Sequence, residues 1–526
     1  MQPATIVDNQ DEVVAYLSDP ATHGGAAVEE IETHGARVFL AGDRVYKLKR
    51  AVWYPFMDFS TLAKRRDACR AEVLLNRRTA PTVYLDACPI VRTEAGSLAI
   101  GGTGEEIDWV VVMARFDQDS LLDRMAQRNA LNAGTIEALA DEIARFHADA
   151  ERYTNVDFSE TMAGIVAGNR SSLDAWFSDP ARRRDIAALD RDTRAAVARH
   201  RKLMERRSAD GFVRRCHGDL HLRNICMIDG QPTLFDCIEF NESFATIDVY
   251  YDLAFLLMDL QHRGLRAFAN LILNRYIART GDVEGIATLP LCQSVRAAIR
   301  AHVLAATAGT LDDHVPADEG PAMRAEAATY LDLAQRLLVA PPPALVAVGG
   351  LSGSGKSTLA RDLAPWLGGP PGALVVRSDV LRKRLAGADL FDRLAPDAYT
   401  AERNEAVYEA LYAASATGLA AGRCVIADAV FRDAGERAAI AQVAKDHGVP
   451  FLGLWLDVSP AAQEERLAAR RADVSDATVE VGRAQRAKAE PIEDWQTLDA
   501  DPDRTALTVA AAALLTARGL PYQPSD

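Results

Sequence analysis

The period of apolar and polar positions changes along the chain and divides it into three stretches. Up to about residue 120, short apolar runs such as Arg37–Leu40, Arg44–Leu48 and Trp109–Met113 alternate with polar residues and are broken by Gly-Asp and Gly-Gly pairs. Period-two alternation between turn dipeptides predicts a small sheet, with a helix over 62–77. From Leu121 to Leu338 the pattern is mostly helical, interrupted by a strand-rich island from Cys216 to Phe240. After Pro341-Pro342-Pro343, apolar strands at 345–349, 373–377, 424–427 and 451–456 alternate with helical stretches, the pattern of a parallel sheet with helices on both faces. Three prolines cannot sit inside a helix and favour an extended spacer, so a linker is expected at 339–343. The expected domains are 1–338, with a small lobe to about 115 and a helical lobe over 116–338, and 344–526.

Composition narrows the class. A chain of 526 residues exceeds what one hydrophobic core usually organises, and 49% hydrophobic with 25% charged residues is the balance of a packed globular protein. The net charge of −15 disfavours nucleic acid and anionic membranes as general partners. Seven scattered cysteines without a C-x-x-C pair argue against a disulfide framework or a zinc site and for a reducing compartment. Residues Met1 to Glu12 carry acids and no apolar core, unlike a secretory leader. The longest apolar candidate, Ala506 to Ala517, is shorter than the ~20 residues of a membrane span. A cytoplasmic location without a membrane partner is expected.

The octapeptide Gly350-Leu351-Ser352-Gly353-Ser354-Gly355-Lys356-Ser357 fits G-x-x-x-x-G-K-[ST] between a predicted strand and a helical run from Thr358. Such a loop wraps a polyphosphate with backbone N–H groups, so Gly350, Ser352, Gly353, Ser354, Gly355, Lys356, Ser357 and Thr358 form the candidate nucleotide set. Lys356 would reach the terminal phosphates and Ser357 would ligate magnesium. Two apolar strands end in acids: Asp428, placed to organise the metal, and Asp379, which Arg382 follows by three residues. These residues resemble the P-loop kinases that phosphorylate hydroxyls of small molecules or polynucleotide ends, the gluconate-kinase-like, polynucleotide-kinase-like and zeta-toxin-like enzymes. The resemblance implies that Asp379 deprotonates the acceptor hydroxyl, that Arg382 lies on the substrate side, and that arginines of a helical lid approach the transferring phosphate. Arg466, Arg470 and Arg471 are the lid candidates.

The helical stretch carries a second constellation, Cys216-His217-Gly218-Asp219-Leu220-His221-Leu222-Arg223-Asn224, followed by Thr233-Leu234-Phe235-Asp236. Asp219 is placed to orient a nucleophilic hydroxyl or accept its proton, while Asn224 and Asp236 offer hard oxygens to one magnesium ion. This spacing resembles the protein-kinase-like fold, and most closely the aminoglycoside-phosphotransferase family. His217 reads as a brace, His221 is open between brace and proton carrier, and Glu239 is a loosely held further metal ligand. The resemblance implies that Asp252 braces the catalytic loop, that Lys47, with Lys49 as the alternative, meets the α- and β-phosphates, and that Glu72 on the following helix is its ion-pair partner. No G-x-G-x-x-G precedes the lysine strand, which a shorter phosphate-covering loop would explain, and the adenine hinge is expected at Met113–Phe116 by analogy.

Together these readings give an α+β bilobal protein-kinase-like domain followed by an α/β P-loop NTPase domain with a parallel sheet. The expected function is a bifunctional, ATP- and Mg2+-dependent phosphotransferase acting on hydroxyls of small molecules. The alternatives are phosphorylation of nucleic-acid 5′-hydroxyl ends by the second domain, which net acidity disfavours, and a non-catalytic ATP-binding regulatory role for the first.

Overall fold

The computed structural model describes residues 5–54, 56–309, 319–469, 474–487, 492–501 and 503–523. Two compact units emerge, Met1–Asp259 with Val295–Leu331, and Leu260–Ser294 with Asp332–Asp526. The proline run alone does not separate them, because residues 260–294 count with the second unit.

In the first unit an antiparallel sheet has the order β1-β2-β3-β6-β4-β5: β1 (Val28–Glu32), β2 (Ala36–Ala41), β3 (Arg44–Lys49), β4 (Tyr84–Arg92), β5 (Leu98–Ile100) and β6 (Glu105–Ala114). The Gly-Asp pair between β2 and β3 turns the chain as expected, with Gly42 at φ 58°. Helix α1 (Leu62–Asn76) starts at Thr61, whose side chain accepts the Lys64 N–H. It buries Arg65, Ala68, Cys69, Glu72, Val73 and Asn76, a three-to-four-residue stripe. Cys69 and Val73 pack with Leu40, Val45, Tyr84, Trp109 and Val111 in the lobe core, and Glu72, on the same stripe, is fully buried.

Past helix α2 (Ala133–Asp149), the strand-rich island forms two small antiparallel ladders. One pairs β7 (Val213–Arg215) with β10 (Thr246–Asp248); the other pairs β8 (Ile225–Ile228) with β9 (Gln231–Leu234) through an Asp229-Gly230 turn with both φ angles positive. The loop from Cys216 to Asn224 runs from β7 towards β8. Buried Asp248 closes β10 and accepts the Tyr250 N–H at the start of α3 (Val249–His262). Arg207 meets Asp248 through a bidentate pair at 2.7 and 3.1 Å, both residues nearly inaccessible.

In the second unit a five-stranded parallel sheet has the order β12-β13-β11-β14-β15: β11 (Leu345–Gly350), β12 (Leu374–Arg377), β13 (Val425–Asp428), β14 (Phe451–Asp457) and β15 (Gln496–Asp499). Its core joins Val346, Val348, Ile426, Leu454 and Leu456 to helix α5 (Lys356–Leu363) and the C-terminal α9 (Arg504–Ala517). Helix α4 (Arg266–Thr280) belongs here because it covers the sheet edge at β12. Asn270 donates to the Ala373 carbonyl at 3.0 Å, and Asn274 accepts the Val375 N–H at 2.7 Å, which satisfies backbone groups that an edge strand leaves open. Helices α6 (Ser378–Leu385), α7 (Pro460–Ala469) and α8 (Val479–Arg486) stand at the carboxyl end. Among the described residues no helix is long and apolar enough to cross a membrane.

Arg207→Ala should strand the buried Asp248 charge and destabilise the first unit by about 3–5 kcal/mol. Urea denaturation checks this through a lowered midpoint for that unit; an unchanged midpoint contradicts it.

Candidate functional site

Alternation along β3 puts Lys47 and Lys49 on one face. Lys47 Nζ contacts Glu72 Oε1 at 2.8 Å and Asp236 Oδ1 at 2.5 Å, joining strand, helix and the end of the β8–β9 hairpin. Lys49 Nζ pairs with Glu72 and with Glu239. The preferred and the alternative lysine therefore share one acid, and Lys47 is the one that also meets Asp236. Burial pushes the Glu72 pKa up, but the two ammonium groups outweigh it and bring it from 4.5 to about 2. Glu239 moves up instead, because burial outweighs its pairing with Lys49 and Glu72 adds repulsion. Glu239 is thus engaged by Lys49 in this structure. Asp236 adopts φ 60°, a left-handed conformation in which its N–H donates to the Tyr84 hydroxyl at 3.0 Å.

The loop before β8 is tied from beneath. Asp252, in the first turn of α3, accepts the N–H groups of His217 (3.0 Å) and Gly218 (2.8 Å) and contacts His147 Nε2 at 3.1 Å. It braces the loop, as the resemblance implies, and His217 braces it further by contacting the Phe235 carbonyl at 2.9 Å. Gly218 has φ 85°, and a Cβ there would meet the Phe244 carbonyl at 3.1 Å. Asp219 receives the Asn224 amide at 2.9 Å and lies 3.2 Å from His221 Nε2. Burial opposes ionisation of Asp219, yet His221, then Arg300 and His217, hold its carboxyl well below the ordinary range. The Phe235 N–H donates to the Asn224 carbonyl at 3.0 Å. Asp219 and Asn224 are thus tied to the backbone at Phe235, and the next residue, Asp236, pairs with Lys47, which in turn meets Glu72. His147, Cys216 and Asp252 also lie close enough together to ligate a metal, but the Asp252 oxygens are already committed to the loop.

In the second unit the loop from Gly350 to Gly355 joins β11 to α5. Gly350 takes φ 145° and Gly353 φ 87°, and a Cβ at Gly350 would meet Ser354 Oγ at 2.6 Å and at Gly353 Leu467 Cγ at 2.9 Å. Lys356, Ser357 and Thr358 occupy the first turn of α5, whose leading N–H groups lack helical partners. The Ser352 N–H donates to Gln485 Oε1 at 2.9 Å, and Lys356 Nζ to the Leu351 carbonyl at 3.1 Å. Ser354 is fully buried. Parallel register sets Asp428 beside Val348 of β11, and the Ser357 hydroxyl donates to Asp428 Oδ2 at 2.5 Å. Arg377, at the end of β12, donates to Ser357 Oγ at 3.1 Å.

Asp379 lies half-buried in the first turn of α6. Arg382 donates to the Ala398 carbonyl at 2.8 Å and stacks 4.8 Å from the Tyr399 ring centre. Arg466 of α7 donates to the Ser354 carbonyl at 3.4 Å and the Ala500 carbonyl at 2.6 Å. Arg470 and Arg471 lie outside the described residues. Sequence reasoning passed over Gln463, whose amide donates to the Ser352 carbonyl at 2.7 Å and accepts from Arg486, and Asp476, which joins Lys383 and the Tyr399 hydroxyl at 2.8 and 2.7 Å. Gln463 precedes Arg466 by one helical turn and shares its face, a signal the spacing did carry. Asp476 carried no local signal.

A lysine–glutamate pair beneath an acid–amide loop, and a phosphate loop at the carboxyl end of a parallel sheet, define an ATP-dependent phosphotransferase built from two kinase-type domains. Residues 83–287 match the model of the phosphotransferase enzyme family, and residues 345–492 that of an AAA domain. An uncharacterized protein of Mycobacterium tuberculosis is 30% identical over 478 residues, covering 89% of this chain and 90% of the relative. The chain belongs to the family of that protein. Among solved structures, a choline/ethanolamine kinase family protein from Mesorhizobium loti has 12% identity and a TM-score of 0.37, covering 62% of this chain and 99% of its own. A sugar kinase from a Janibacter species has 22% identity and a TM-score of 0.27, covering 33% and 95%.

The lowered Glu72 pKa sets an acid limit. Glu72 is ionised in the fold at pH values where the unfolded chain would be protonated, so its contribution is complete above 4.5 and is lost as pH falls towards 2. The first unit should lose stability across that window, and Glu72→Gln should flatten the dependence while lowering stability at neutral pH. Equal acid slopes for both proteins in pH-resolved denaturation contradict this.

Proposed function

We propose that the chain is a bifunctional kinase in which each unit transfers the γ-phosphate of ATP to a hydroxyl of a small molecule. The observation that carries this is the meeting of two contact sets, Asp219 with Asn224 and Lys47 with Glu72 and Asp236, joined where the Phe235 N–H donates to the Asn224 carbonyl and drawn from residues up to 189 apart. A structural role alone does not require two acids to converge on Lys47 while a third acid pairs with an amide one hydrogen bond away from that centre. In the first unit Lys47 would bind the inner phosphates, steadied by Glu72, and Asn224 and Asp236 would hold magnesium. The low pKa of Asp219 makes it a weak base towards a resting hydroxyl. It would orient the hydroxyl and take its proton late, as bonding to phosphorus lowers the hydroxyl's own pKa.

In the second unit Lys356 would neutralise the terminal phosphates, and the loop N–H groups and the α5 N-terminus would cradle them. The Ser357 and Asp428 oxygens suit magnesium: they are hard donors already in contact. Bound there, the metal would offset charge on the transferring phosphate. Asp379 would face the acceptor hydroxyl and Arg382 its substituents. Small-molecule acceptors fit the net charge of −15 better than polynucleotide ends do.

An acceptor screen over sugars, amino sugars and nucleosides, with 5′-hydroxyl oligonucleotides included, tests the reading. Asp219→Ala should cut transfer by the first unit ~10²-fold or more with nucleotide binding nearly intact, and Lys356→Ala should silence the second unit alone. Nucleotide binding without transfer to any acceptor in either unit contradicts the proposal. The two acids of the second unit separate by their metal response. Asp379→Asn should lower turnover with little change in Mg·ATP affinity, whereas Asp428→Asn should weaken the magnesium dependence itself; steady-state kinetics against magnesium show which holds.

A further inference from the structure

Arg377 has no part in the phosphotransfer scheme above, yet it is placed on the two oxygens assigned to the metal in the second unit. Parallel register between β12 and β13 sets Arg377 opposite Asp428. Its Nη2 donates to Ser357 Oγ at 3.1 Å, its Nε lies 3.4 Å from Asp428 Oδ2, and the Ser357 hydroxyl donates to that same Oδ2 at 2.5 Å. Asp428 is 4% exposed, so its charge depends on a cation close by. A divalent ion ligated by these oxygens would compete with the guanidinium for the same lone pairs and would be repelled by its charge.

We propose that Arg377 is the resident counter-ion of the Ser357–Asp428 pair, a positioning residue that keeps bare divalent metal out and admits it as the metal–nucleotide complex. The inference rests on the reading of this unit as a nucleotide-dependent kinase. Arginine suits the task because its fork reaches the hydroxyl and the carboxylate together. A polyphosphate seated in the loop supplies the anionic oxygens to which the guanidinium can transfer its hydrogen bonds, freeing Ser357 and Asp428 for the metal that arrives with it. The site then avoids being filled by metal without nucleotide, which would leave the phosphate loop without its substrate.

Manganese binding to the full-length protein, followed by electron paramagnetic resonance, is the test. Wild type should hold no manganese at Asp428 without nucleotide and should gain it with a non-hydrolysable ATP analogue. Arg377→Gln should bind manganese there without nucleotide at least ~10-fold more tightly than wild type, and Arg377→Gln/Asp428→Asn should lose that ion. Arg377→Lys, which keeps the charge, should restore exclusion. Manganese should raise the melting temperature of Arg377→Gln and not of wild type. Equal manganese affinity in wild type and Arg377→Gln overturns the proposal. So does a nucleotide-independent manganese in wild type that Asp428→Asn removes, a comparison that needs no Arg377 variant to fold. If wild type shows no nucleotide-dependent manganese that Lys356→Ala abolishes, the kinase reading fails and this inference fails with it.

Discussion

A carboxylate taken out of water must be given a cation or a set of N–H groups, and both units are organised around that requirement. In the first, Glu72 and Glu239 are buried and Asp236 lies at the same centre, and two lysines from a single strand pair with all three. In the second, Asp428 is answered by Arg377 and by the Ser357 hydroxyl. Asp252 is satisfied differently, by backbone N–H groups and a histidine, and it has a bracing place rather than a chemical one. Of the acids paired with side-chain cations, Asp236 and Asp428 are the ones proposed to meet metal.

This compensation explains how the elements come to lie where they do. The helical stripe that buries Cys69 and Val73 also buries Glu72, which would be intolerable if β3 did not present Lys47 and Lys49 on the facing side. The hairpin from Ile225 to Leu234 then delivers Asp236 to the same ammonium group. In the second unit the parallel register that aligns Arg377 with Asp428, and Asp428 with Val348, brings three strand ends together beside one phosphate loop. Hydrophobic alternation builds the strands, and their register converts that into a charged site at one end of the sheet.

What was legible in the sequence follows from this. The four expected strands from Leu345 onwards and the phosphate loop were readable because local spacing encodes them, and those strands match the observed ones to within a residue at each end, whereas the fifth strand, β15, was not foreseen. The Asp219–Asn224 pair, Asp236 and Glu72 were found through spacing plus resemblance, and the structure joins them. Three features were not legible. Arg377 carries no spacing signal, since its meaning arises from β12 lying beside β13. Asp476 sits in a loop and gains its partners Lys383 and Tyr399 through tertiary folding. Helix α4 falls before the prolines in sequence, yet its asparagines cap the edge of β12, a relation that periodicity cannot express.

The proposed function requires two separate nucleotide sites in one chain, one in each unit. Equilibrium titration of the full-length protein with a non-hydrolysable ATP analogue in the presence of magnesium tests it most directly. The account predicts two equivalents bound per chain, one remaining after Lys47→Ala, one after Lys356→Ala, and none when both are replaced. A single equivalent in the wild type, or one lysine substitution abolishing both, would contradict it.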